Sequence, residues 1–185
     1  MRFDRLEKLL VVILLFCVIC LAYVFGCIIV LERDVALPYR NLMPSDYNNA
    51  VEILRKENKN ASFDWLNSKE EYREFIAKDL GIGLYFYSEK KMVGYYGKTY
   101  PIARVIVIDS EISGYKYCET FVHEALHLKK FSGNETYISF ETFRYMYETK
   151  ELKNVAVCYG LEQIYGEFYE EYNVAHLIVD YLTKK

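Results

Sequence analysis

The chain has 185 residues, room for one domain and an appendage. Its 26 acidic and 23 basic side chains leave a formal net charge of −3. No Lys/Arg-rich run occurs, so the charge gives no reason to expect nucleic acid as a partner.

Residues 1–8 are a short flank carrying Arg2, Arg5 and Lys8 beside Asp4 and Glu7. Residues 9–31 then run without a charge, and about 20 apolar residues at a 1.5 Å rise cross a bilayer core of roughly 30 Å. The segment predicts a single transmembrane helix embedded in the lipid bilayer. A cleaved signal peptide would have a shorter apolar core and a small-residue cleavage site. The sequence at 24–27 faintly resembles a lipoprotein box, but Phe25 is bulky there and the run continues past Cys27. A core helix of a soluble domain would carry a polar face. The basic residues before the span favour an inside N-terminus, which places the remaining chain outside the cytoplasm. Cys17, Cys20 and Cys27 lie within the run and read as small hydrophobes.

Residues 32–44, marked by Pro38 and Pro44, read as a linker, and 45–185 as one domain. Ser45 is the expected N-cap of a helix over 46–58, and Asn67 the start of another over 68–79. The pattern then turns aromatic and β-branched. Residues 83–88 read as a strand, 89–91 as a turn, 92–96 as a returning strand, 97–101 as a second turn and 102–108 as the strongest strand. Helical periodicity follows over 116–130. Ser132, Gly133 and Asn134 break it, and Asn134 caps a helix over 135–150. Two tail helices are expected over 161–172 and 174–183. The layout is α+β, a small antiparallel sheet followed by a helical hairpin.

The segment His123-Glu124-Ala125-Leu126-His127 is an HExxH motif. Histidines at i and i+4 stand about 40° apart around a helix axis, so both imidazoles can share one tetrahedral Zn²⁺. The intervening Glu124 can take a proton from water activated by the ion. Cys118, Phe121, Ala125 and Leu128 form an apolar stripe on the far side, while Thr120 and Lys130 share the histidine face.

A catalytic zinc needs a third protein ligand. By helical phase Glu135 falls on the side of the next helix expected to pack inward, while Glu141 and Glu148 fall on an expected solvent face. A short turn at 131–134 brings Glu135 level with His127, so Glu135 is the third ligand expected and Glu141 the fallback. A first-turn Glu favoured by the helix dipole is the plainer reading of Glu135. Asn60-Ala-Ser62 and Asn134-Glu-Thr136 match glycosylation sequons, the second crowding the site. Cys118 and Cys158 are compatible with one disulfide or two free thiols.

FVHEALH followed by NETYISFETF resembles the gluzincin branch of zincin-like metallopeptidases, over roughly residues 80–150. The resemblance implies a minimal zincin-like domain, His123, His127 and Glu135 on zinc, Glu124 as general base and then acid, and a peptide or protein substrate. It also implies that the last strand lies beside the cleft, where an extended peptide could pair with it. Ser139 or Thr142 could orient the imidazoles, and His176, Tyr115 and Tyr117 are candidates for stabilising an oxyanion. His176 reads more readily as a satisfied core histidine of an apolar helix. No third histidine at metzincin spacing follows. The competing expectation is a non-catalytic membrane-anchored binding protein with a degenerate or structural zincin-like domain.

Overall fold

The computed structural model describes residues 5–31, 41–57, 68–166 and 172–184. Among the described residues, ten helices and strands follow in chain order: α1 (Arg5–Leu31), α2 (Pro44–Glu57), α3 (Lys69–Asp79), β1 (Phe86–Lys90), β2 (Gly97–Tyr100), β3 (Val105–Asp109), α4 (Gly114–Lys130), α5 (Glu135–Glu148), α6 (Lys153–Tyr165) and α7 (Tyr172–Thr183). A 3₁₀ turn, Lys150–Leu152, joins α5 to α6. The fold is mixed α+β, mostly helical, with one small sheet.

Helix α1 carries its apolar side chains outward along nearly its whole described length, Cys27 being the buried exception. Its segment Lys8–Leu31, 24 residues, is long and apolar enough for a membrane span or a signal sequence. Helix α2 begins at Pro44, one residue before the expected cap. Proline suits a first helical position because it lacks the N–H that would go unpaired there. Asp46 completes the start by accepting a bond from the Met43 N–H at 2.8 Å, so Ser45 lies inside the first turn. Most of the expected linker, residues 32–40, falls outside the described residues, as do Asn67 and the sequon at 60–62. Helix α3 is capped by Ser68, whose hydroxyl accepts from Glu71 N–H at 3.1 Å.

The sheet corrects the expected antiparallel meander. Its order is β1-β3-β2, with β1 parallel to β3 and β2 antiparallel to it. Strand β1 runs on through Glu89 and Lys90, where a turn was expected. The expected return strand over 92–96 is irregular, and the expected turn over 97–101 contains strand β2. The reason lies in β3: Ile106, Val107 and Ile108 are all buried, so this β-branched run takes the centre and the other strands flank it. Asp109 ties down the crossing segment, its Oδ1 accepting from Met92 N–H at 3.3 Å and Glu111 N–H at 3.1 Å.

Helices α4 and α5 form the expected hairpin. Phe131 closes α4 in the left-handed region at φ 49°, and the Asn134 side chain caps α5 by accepting from Tyr137 N–H at 2.8 Å. Asn134 therefore serves as a structural cap. The core gathers Phe121, Val122 and Ala125 of α4, Ile138, Phe143 and Met146 of α5, and Ile178 of α7. Helix α6 starts at Lys153, well before the expected 161. Its Val155, Ala156 and Val157 are buried against neighbouring helices, and that packing outweighs the weak helical preference of β-branched residues. Gly166 ends it short of the expected 172.

Candidate metal centre

Helix α4 carries His123 and His127 one turn apart, with ring centroids 4.8 Å apart and planes 68° from parallel. Their Nε2 atoms approach to 3.0 Å. Glu135 opens α5, placed there by the Asn134 cap, and its Oε2 lies 3.1 Å from His123 Nε2 and 3.3 Å from His127 Nε2. The three potential ligand atoms all lie within 4.8 Å of one another, so this group could hold a metal ion.

The donor chemistry fits a cation. Ser132 O lies 2.6 Å from His127 Nδ1, and a carbonyl oxygen only accepts, so Nδ1 carries the proton. In the neutral ring Nε2 is then a bare lone pair. It faces the carboxylate oxygen of Glu135, another acceptor. Two acceptors at that separation need a second ring proton or a shared cation between them. Burial alone would lower the His127 pKa, but Glu135, the Ser132 carbonyl and Glu124 outweigh it and raise the value. At Glu135 partial burial would raise the pKa. The two imidazoles outweigh that and hold the carboxyl well below the usual carboxylate range.

Two expectations about carboxylates are reversed. The Glu135 side chain is 73% exposed, at the rim rather than packed inward, although its Oε2 turns to the imidazoles. Glu141 is the buried one, at 5% exposure, and Lys130 Nζ at 3.0 Å and Arg144 Nη2 at 2.8 Å claim its Oε2. Helix α5 packs against α4, α6 and α7, so Glu141 lies inside although Glu148, expected on the same solvent face, is exposed. Glu141 is consequently no part of the metal group.

Glu124 is buried at 6% exposure on the side of α4 that faces β2. Burial pushes its carboxyl pKa up, and the neighbouring His123 and His127 pull it partly back. Thr99 of β2 donates its hydroxyl to the Glu124 backbone carbonyl at 2.9 Å. A Cβ at Gly97 would stand 2.7 Å from Glu124 Cγ and 2.8 Å from Thr120 Cγ2, so only glycine lets β2 come this close. The expected turn glycine is a glycine of close approach.

These groups line one cleft of 730 Å³ with Leu31, the rim residues Tyr95 and Tyr96, and Lys116 and Glu119 of α4. Glu119 is buried with Lys116 Nζ 3.1 Å from its Oε2; desolvation raises its pKa, and the lysine only partly offsets that. Ser139 lines the cleft, whereas Thr142 is buried and donates to Ile138 O at 2.8 Å, within its own helix. The partner that orients His127 is instead the carbonyl of Ser132. A backbone group is invisible in a list of side-chain types. His176, Tyr115 and Tyr117 do not line the cleft. Tyr117 hydroxyl is engaged by Arg73 at 3.3 Å and Tyr87 at 3.0 Å. The expected strand beside the cleft, β3, is central. The edge strand β2 lies there instead. Cys118 and Cys158 are free thiols.

No protein-family model matches the chain, and no curated protein and no solved structure matches it. The reading of the site rests on its own residues and geometry.

Proposed function

We propose that the chain is a membrane-anchored, zinc-dependent metallopeptidase of gluzincin type, with α1 as an uncleaved span and a zincin-like domain outside the cytoplasm. His123, His127 and Glu135 would hold Zn²⁺, which when bound supplies Lewis acidity for a scissile carbonyl and acidifies water. Glu124 then works as the proton carrier. Its carboxylate accepts the proton of the attacking water and returns it to the leaving amine nitrogen. Its raised pKa suits both halves of that transfer, because a stronger base takes the proton and a weak acid still releases it. The Ser132 carbonyl keeps His127 in the tautomer that leaves Nε2 free. Strand β2, an edge strand of the sheet among the described residues, lies beside the cleft, where an extended substrate could pair with it.

The observation that carries this reading is the convergence of two imidazole nitrogens and one carboxylate oxygen within 4.8 Å, next to a buried carboxyl on the same helix. The test is metal analysis and peptide hydrolysis by the full chain in detergent. Stoichiometric zinc in the purified chain and in Glu124→Gln, with hydrolysis lost only in the variant, supports the proposal. Zinc absent from the purified chain refutes it. The exposure of Glu135 favours a second reading, a non-catalytic binding protein that keeps a structural ion. That reading predicts zinc without hydrolysis of any substrate and no functional change in Glu124→Gln.

A further inference from the structure

The end of α1 and two exposed tyrosines, Tyr95 and Tyr96, meet at the same cleft. Leu31, the last residue of α1, lines it, and its carbonyl accepts from the Gly133 N–H at 2.8 Å. That bond satisfies one of the carbonyls a helix leaves unpaired at its C-terminus. A Cβ at Gly133 would stand 3.1 Å from the same oxygen, so glycine allows the approach. The neighbouring residue, Ser132, supplies the carbonyl that holds His127.

Gly94, Tyr95, Tyr96 and Lys98 form another part of the lining. Val93 beside them is 85% exposed, more than any other large hydrophobic side chain among the described residues, and Tyr95, Tyr96 and Tyr100 are exposed too. Lys98 Nζ sits 5.8 Å from the Tyr95 ring centre and 5.4 Å from that of Tyr100.

We propose that this rim, Val93 to Tyr96 with Lys98 and Tyr100, rests in the headgroup layer of the bilayer that α1 crosses, holding the cleft at the membrane surface. The proposal rests on the reading of α1 as a span. The apolar surface of α1 ends at Leu31, so the bilayer boundary falls at the cleft that Tyr95, Tyr96 and Lys98 of the rim also line. The composition matches that depth. Tyrosine rings take the apolar side while their hydroxyls stay hydrated, and lysine extends its ammonium toward lipid phosphate. A second protein would need an apolar, desolvated centre, whereas a lysine stands between two of the exposed rings here.

The test uses the full chain with its one tryptophan removed, Trp65→Phe, in phosphatidylcholine vesicles whose acyl chains are brominated near the headgroup end. Single tryptophans at Val93→Trp and Tyr95→Trp probe the rim. Lys150→Trp is the control, beyond α5, whose 14 residues span about 21 Å from the metal group. Phe16→Trp probes the span, with bromines placed near the chain ends. The rim probes are expected to lose roughly half of their emission and the control less than about a tenth. Quenching of Phe16→Trp without quenching at either rim position overturns the rim proposal and leaves the anchor intact. An unquenched but blue-shifted rim probe means that protein, such as a second copy, covers the rim, and overturns it as well. An unquenched Phe16→Trp overturns the anchor reading itself.

Discussion

Ser132 holds the imidazole of His127 from behind, its carbonyl oxygen 2.6 Å from Nδ1. The contact crosses the tight turn that Phe131 makes in the left-handed region, and the same turn delivers Glu135 to the other side of the ring. One loop therefore sets both the tautomer of a histidine and the position of the carboxylate that faces it. The loop is also joined to the end of α1 through Gly133.

Zinc binding should follow the observed group and ignore the fallback carboxylate. His123→Ala and His127→Ala are expected to lose stoichiometric zinc, because three protein donors are the minimum for such a site. Glu141→Ala should keep its zinc but lose about 1 kcal/mol of stability, since Lys130 and Arg144 would lose the carboxylate they share while staying partly solvated themselves. Elemental analysis beside chemical denaturation separates the two effects. Loss of zinc in Glu141→Ala would contradict the assignment.

Gly97→Ala should damage the proton carrier more than the metal group. The added methyl must displace Glu124 or push β2 away from α4, at a cost of about 1–3 kcal/mol. Zinc content should stay stoichiometric while peptide hydrolysis falls at least tenfold. Equal loss of metal and activity would show that the strain spreads to the histidines instead.

The buried carboxyl of Glu119 gives stability a pH dependence of defined sign. Desolvation raises its folded-state pKa, with Lys116 offsetting only part. The folded chain therefore holds that proton where the unfolded chain has released it, and its contribution falls as pH rises from the unfolded value toward the raised one. Glu119→Gln should remove that penalty. Its melting temperature relative to the parent should be higher near neutral pH than at pH 4, and a difference that is the same at both pH values would refute the account.

Cys118 should behave as an inert thiol despite being reduced. Burial pushes its pKa up to about 11. At pH 8 its thiolate fraction is then on the order of one in a thousand, against roughly a quarter for an ordinary cysteine. Alkylation with iodoacetamide at that pH, followed by mass mapping, should leave Cys118 unmodified in the folded chain and label it fully in denaturant.

The sequence by itself determined the features whose causes are local. An uncharged apolar run long enough to cross a bilayer, a helix with histidines at i and i+4, and an Asn134 cap that makes Glu135 the first residue of the next helix all depend on neighbours within about a turn. Tertiary structure decided what depends on distant residues. The strand order departs from a meander because β3 is buried on both faces and pairs with β1 and β2 at once. Glu141 went inside because three helices surround α5, a fact no phase angle along α5 contains. Gly97 reads as a turn residue until α4 is placed against it. The clamp on His127 is a carbonyl, which every residue carries, so only the path of the backbone through Phe131 could select Ser132 for it.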